Sequence, residues 1–325
     1  MSGPGQVSAA GLPRGAKAPL AGSEPHAMGE RGGHVAIVTG AGKGLGRAYA
    51  LHLAGCGVSV LVNNRRHAGE ADAQTSAQQT VDAVLQAGGV ACANWSDVSD
   101  PDSGQAMVKQ ALAAFGRLDI VVANAGIDKA ASFHKQTLAD FRAVFEVGFF
   151  GNLHLAHAAW PHLMQQRYGR VVLTASSAGL YADHGMAAYS AAKAAVIGLM
   201  RALAIEGHRH NVLANVIAPY AYSQMTAPYM TGDMARSFDP ALVAPLVGWL
   251  CSAECDVSGE VLVSGAGLVR RASVGETPAL ALAPQAIART VHALRDQPTR
   301  SYPTANVSFS RFLQEAGQLS IGTSA

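Results

Sequence analysis

A chain of 325 residues with 49% hydrophobic and 14% charged side chains has the composition of a globular protein able to bury a full core. Its net charge of +2 argues against nucleic acid or an acidic membrane as the main partner, and the sequence reading finds no apolar run of transmembrane length. Cys56, Cys92, Cys251 and Cys255 do not make a disulfide framework, and no His completes a zinc set around Cys251 and Cys255, so reduced thiols, no metal and a cytoplasmic location are expected.

In chain order, residues 1–33 are rich in Gly, Pro, Ala and Ser without periodicity and lack the apolar core of a signal peptide. They are expected to be a disordered extension, with Met28 as an alternative start. From residue 34, buried-strand patterns alternate with helical ones. The strands are HVAIVTG (34–40), VSVLVNN (58–64), VACANWSDV (90–98), RLDIVVANAG (117–126), GRVVLTASS (169–177), VLANVIAP (212–219) and GEVLVSG (259–265). Between them lie helical stretches, one of them running unbroken over 138–166 and one carrying Tyr189 and Lys193. This alternation predicts an α/β, Rossmann-like, doubly wound parallel sheet of about seven strands with helices on both faces. One domain is expected over 34–267, followed by a helical tail over 268–325 that ends in GTSA, which is no peroxisomal address.

The first strand runs into TGAGKGLG (39–46). A Gly-rich turn there lets the backbone approach a pyrophosphate, with the next helix aimed at its charge. Gly40, Lys43, Gly44, Leu45 and Gly46 are therefore candidate cofactor contacts. At the end of the second strand, where a carboxylate would hold ribose hydroxyls, the chain has Asn64, Arg65 and Arg66. A neutral Asn64 does not repel a 2′-phosphate and Arg65 can bind one, which leans modestly toward NADP; solvated loop charges are the alternative. Tyr189 and Lys193, at i and i+4, share a helix face. Taken alone, that pair reads equally as a lysine stem packed on an aromatic ring.

With TGAGKGLG, SDV (96–98), NAG (124–126), Ser176 and Tyr189-x-x-x-Lys193 in this order, residues 34–267 resemble the short-chain dehydrogenase/reductase family. The stretches NNRRHAGE (63–70), AAWPHLMQQRYGRVVLTASSAGLYADHG (158–185) and LVAPLVGWLC (242–251) are most similar to the branch that contains the 3-hydroxyacyl-CoA dehydrogenase domain of multifunctional enzyme type 2. The resemblance implies NAD(P) as cofactor, held additionally by Asp97, Val98, Asn124, Ala125, Gly126, Tyr189, Lys193, Pro219 and Tyr222. It implies Ser176, Tyr189 and Lys193 as catalytic residues, a homodimer or homotetramer, and a small-molecule substrate such as a CoA thioester. In that setting Lys193 is expected to lower the Tyr189 pKa from its ordinary value near 10, making the phenol a usable base. A 3-hydroxyacyl or 3-oxoacyl thioester is the leading substrate. A reductase of a steroid or other bulky ketone, and a catalytically impaired NAD(P)-sensing protein, are the alternatives.

Three positions depart from the family pattern: Ala123 replaces the first Asn of NNAG, Tyr220 replaces the Gly of PG, and Gly148 replaces an Asn that helps hold a proton-relay water. Met225, Met230 and Met234 fall where the family has a substrate lid, with a packing role equally open. His208, Arg209 and His210 read as a solvated turn.

Overall fold

The computed structural model describes residues 33–67, 69–282 and 284–322; the disordered extension and alternative start expected over 1–33 lie, apart from Gly33, outside the described residues. The chain runs β1 (Val35–Val38), α1 (Gly44–Gly55), β2 (Ser59–Asn63), α2 (Ser76–Gln86), β3 (Ala91–Asn94), α3 (Ser103–Phe115), β4 (Ile120–Ala123) and α4 (Leu138–Phe145). It continues through α5 (Gly151–Gln166), β5 (Gly169–Thr174), α6 (Ala178–Tyr181), α7 (Ala187–Gly207), β6 (Val212–Pro219), α8 (Asp233–Ser237), α9 (Ala244–Leu250), β7 (Val261–Gly265), β8 (Leu268–Ala272), α10 (Ile287–Leu294) and α11 (Ala305–Gly322). Apolar residues fill both faces of the strands, as helices on both sides require; β1 and β4 are buried along their whole length.

The strands form one sheet in the order β3-β2-β1-β4-β5-β6-β7-β8, parallel from β3 through β7. Strand order reverses between β1 and β4, so a crevice opens at their carboxyl ends. One core cluster packs Tyr49, Leu53, Val81 and Leu250 on one face, and a second packs Met107, Leu155, Leu163 and Met200 on the other.

Two elements differ from the sequence expectation. The sheet has an eighth strand: β8, placed in the tail by sequence, pairs antiparallel with β7. Ala266 and Gly267, both at positive φ, make the two-residue reversal such hairpins need. Its residues LVRRA are mostly exposed at the sheet edge, so β8 lacks the buried apolar signature of the other strands. The long helix over 138–166 is interrupted by a π turn at Glu146–Phe150. There the buried Asn152 donates from Nδ2 to the Gly148 carbonyl at 2.8 Å.

Helix α7 heads a segment, Ala187–His210, long and apolar enough by composition to cross a membrane, with a window of mean hydropathy 1.4. In the sequence, Lys193, Arg201 and Glu206 interrupt this segment, so it does not stand out as one apolar run. In this fold the helix packs on β6, α4 and α6, with Ala188, Ala192, Val196, Ile197 and Met200 buried. That packing buries 44% of the apolar window.

At the amino edge of the sheet, Asp119 is fully buried and accepts the Val35 N–H at 2.9 Å and two bonds from the Arg117 guanidinium at 2.8 Å. Beside it, Arg170 covers the Tyr168 ring, which stacks on His34. Asp119→Ala orphans both donors. A loss of about 2–4 kcal/mol is expected, read as a drop of roughly 5–15 °C in Tm; an unchanged Tm would show that the cluster carries no stability.

Candidate active site

The exits of β1 and β4 are tied together by one hydroxyl. Thr39 Oγ1 accepts the N–H groups of Asn124 at 3.0 Å and Ala125 at 3.1 Å, and Asn124 Nδ2 donates back to the Thr39 carbonyl at 3.1 Å. This brings the turn after β1 against the segment after β4. Gly40 sits at φ +63°, and a Cβ on it would fall 2.9 Å from Ala125 Cα. Above the tie lies an open cleft of ≈ 350 Å³, within the range of about 300–1,000 Å³ usual for small-molecule sites.

Gly40, Lys43, Gly44 and Leu45 line this cleft at the start of α1. Lys43 caps the helix in an extended conformation without a side-chain hydrogen bond, so first-turn N–H groups are left for an anion. Gly46 is not in the lining. A Cβ there would meet the Gly40 carbonyl at 2.3 Å and Asn124 Nδ2 at 2.6 Å, so Gly46 lets α1 seat on the turn from behind.

At the far end the cleft is lined by Asn64, Arg65, His67, Ser76, Asp97 and Val98. Asn64 Nδ2 donates to Ser76 Oγ at 3.0 Å. Arg65 lies 3.7 Å from Asp97. Burial alone would push the Asp97 carboxyl up, but hydrogen bonds from Ser99 and the Arg65 guanidinium bring it below the usual range. Arg66 instead lies over the Trp95 ring at 4.8 Å and pairs with Asp72, outside the lining.

Ser176, Tyr189 and Lys193 meet at the other end, together with Asn124, Ala125, Gly126 and Pro219. Ser176 follows β5; Tyr189 and Lys193 come from the first turns of α7. Lys193 is 2% exposed, and its Nζ donates to the Thr174 carbonyl at 2.8 Å. It stands 5.7 Å from the Tyr189 ring centre. Burial lowers the Lys193 pKa to about 8. Tyr189 does not show the lowering that the sequence led us to expect. Burial pushes the phenol up, a hydrogen bond with Ser176 opposes this, and the charge of Asp128 adds to the rise. The physical reason is that desolvation acts on both partners at once and favours their neutral forms.

Tyr222 does not join the site. It is 40% exposed and donates its N–H to the Phe238 carbonyl, while its neighbours Ala221 and Ser223 line the cleft. Of Met225, Met230 and Met234 only Met225 reaches the lining. Ile127, Val147 and Ser76 line it without any sequence signal of their own, because chain segments far apart in sequence bring them there. His208, Arg209 and His210 form a short 3₁₀ turn, and no His/Cys/Asp/Glu group among the described residues has the arrangement of a metal site.

Comparison with known proteins places this geometry. The short chain dehydrogenase family model matches residues 34–232. A putative short-chain type dehydrogenase/reductase of Mycobacterium tuberculosis is 41% identical over 74% of this chain and 85% of its own length. Peroxisomal multifunctional enzyme type 2 of Mus musculus is 38% identical over 87% of this chain, which spans only 38% of that enzyme. Among solved structures, a short chain dehydrogenase from Mycobacterium avium superposes with a TM-score of 0.75 at 34% identity, covering 83% of this chain and 97% of that one. Full-length peroxisomal multifunctional enzyme type 2 from Drosophila melanogaster does so with a TM-score of 0.73 at 32% identity, over 87% of this chain and 49% of that one.

The contact at Gly46 is testable. Gly46→Ala forces the turn and helix apart at an overpacking cost of about 1–3 kcal/mol. A lower Tm together with a weaker dinucleotide Kd, read by fluorescence titration, is expected. Unchanged values for both would show that the turn accommodates a methyl group.

Proposed function

This chain belongs to the short-chain dehydrogenase family and is an oxidoreductase, and from that premise we propose that it moves hydride between NAD(P) and a 3-hydroxyacyl or 3-oxoacyl thioester. The observation that carries the reading is the meeting of Ser176, Tyr189 and Lys193 in one cleft with the glycine turn at the start of α1. The likeness to the peroxisomal multifunctional enzymes supports the thioester as substrate.

The residues present fit a dinucleotide. Glycines leave room at the turn, the first N–H groups of α1 suit a pyrophosphate, and Asn64, Arg65 and Ser76 lie at the adenosine end. When bound, the nicotinamide supplies or accepts the hydride. In reduction, the carbonyl oxygen takes the Tyr189 phenol proton as its carbon gains hydride; in oxidation, the phenolate takes the hydroxyl proton. The Ser176 hydroxyl can donate to the same oxygen, where negative charge develops. Lys193, buried beside the ring, compensates charge on the phenolate when protonated. At the position of the family Asn, the carbonyl of Gly148 accepts from Asn152 Nδ2 at 2.8 Å.

We further infer a modest preference for NADP(H). Asn64 puts no charge at the ribose, and Arg65, unlike Arg66, faces the cleft. Its pairing with Asp97 limits the preference, since a phosphate has to compete for the guanidinium.

Tyr189→Phe keeps the ring and removes the ionisable oxygen. A loss of about a thousandfold or more in kcat with acetoacetyl-CoA is expected, at the upper part of the range for an acid–base group, with dinucleotide Kd nearly unchanged. A variant retaining a tenth of the activity would end the assignment.

Asn64→Asp sets a carboxylate at the ribose, repelling a 2′-phosphate. One such contact is worth about 1–3 kcal/mol, so the NADP/NAD ratio of kcat/KM should fall roughly five- to a hundredfold. An unchanged ratio, or a parent enzyme that strongly prefers NAD, would overturn the preference.

A further inference from the structure

Ser76 lines the adenosine end of the cleft, far from the hydride chemistry in sequence and without a motif to mark it. It opens α2, and that helix is fastened to the turn after β1. The buried Thr80 hydroxyl lies 3.0 Å from the Ala41 carbonyl oxygen and 3.1 Å from that of Ser76. The approach is close: a Cβ on Gly42 would fall 2.3 Å from Ser76 Oγ and 2.9 Å from Asn64 Cγ. The turn, the end of β2 and the start of α2 thus hold Ser76 Oγ at one point beside Asn64.

Asn64 makes Ser76 an acceptor and leaves the hydroxyl proton over. Asn64 Nδ2 donates to Ser76 Oγ at 3.0 Å and to the Arg65 carbonyl at 3.3 Å. An amide oxygen in that place would face the carbonyl oxygen of Arg65, so the nitrogen belongs there. A hydroxyl has one proton to donate and two lone pairs. Ser76 offers a lone pair to Asn64, and its own proton has no acceptor among the described residues. The Arg65 guanidinium on the same lining is shared with Asp97, 3.7 Å away. A neutral donor at this end gives a ligand a bond that Asp97 does not contest.

We propose that the Ser76 hydroxyl is a donor to the 2′-phosphate of NADP(H), held in position by the Asn64 amide. The proposal deepens the reading of this cleft as the dinucleotide site and rests on it. A phosphate on the ribose is an anion with acceptor oxygens, and a hydroxyl donating to it makes a charge-assisted bond. The 2′-hydroxyl of NAD(H) accepts from the same donor only as a neutral group, so the contact favours the phosphorylated ribose. Ser76 is in this way a specificity-determining residue. Asn64→Asp then acts twice, because its carboxylate repels the phosphate and also accepts the Ser76 proton.

The test uses the full chain without substrate and reads Kd for NADP+ and for NAD+ by calorimetry, since the two differ only in the 2′-phosphate. In Ser76→Ala the Kd for NADP+ should rise about three- to thirtyfold, the range for a hydrogen bond to a charged group near solvent. The Kd for NAD+ should stay near the parent value. Ser76→Asp, an acidic residue suited to the first turn of a helix, should weaken NADP+ more than Ser76→Ala does. Equal weakening of both cofactors in Ser76→Ala overturns the proposal, because a residue that only shapes the cleft moves both. An unchanged Kd for NADP+ overturns it as well. A parent that binds NAD+ the more tightly ends the NADP(H) preference, and a selective loss of NADP+ affinity in Ser76→Ala still upholds the role of Ser76.

Discussion

The site depends on the side chain of Thr39. Its hydroxyl, accepting two backbone N–H groups from the β4 exit, fixes where two chain segments meet at the reversal of strand order. The glycine turn then stands on one side of the crevice and the 124–128 segment on the other. Everything that follows is a matter of close approach: Gly40 on Ala125 and Gly46 on Gly40. A side chain at Gly40 or Gly46 would force these segments apart before any ligand entered.

That tight construction has an electrostatic consequence. Lys193 and Tyr189 are held where water is scarce, and desolvation pushes both toward neutrality. The Lys193 ammonium is held in place by the Thr174 carbonyl at 2.8 Å. With its pKa lowered only to about 8, Lys193 keeps its proton at neutral pH, while burial holds Tyr189 as the phenol. The far end is built differently. Asn64, Ser76, Arg65 and Asp97 are held by hydrogen bonds and an ion pair near solvent, where polar groups can exchange partners with a ligand at small cost.

Much of this was legible in the chain. Seven buried apolar strands alternating with helices specify a parallel sheet, because only helices on both faces can cover such strands. TGAGKGLG after the first strand, Ser176 after the fifth, and Tyr189 with Lys193 on one helix face are local patterns, and local spacing sets local geometry. Ser176, Tyr189 and Lys193 all line the cleft.

What only the tertiary structure decided is a set of relations between distant segments. Arg65 and Arg66 are neighbours in sequence, yet one faces the cleft and the other lies on Trp95, a partner supplied by the chain after β3. Tyr222 is 40% exposed and outside the lining, while Ala221 and Ser223 line the cleft. β8 has no buried stripe to announce it, since an edge strand is defined by the neighbour it pairs with. The helix over 138–166 carries a continuous helical pattern, and its π turn appears only with the side chain of Asn152 bonded to the Gly148 carbonyl. Periodicity and spacing act along the chain and can be read from it; desolvation and charge act through space, and they exist only once the chain has closed on itself.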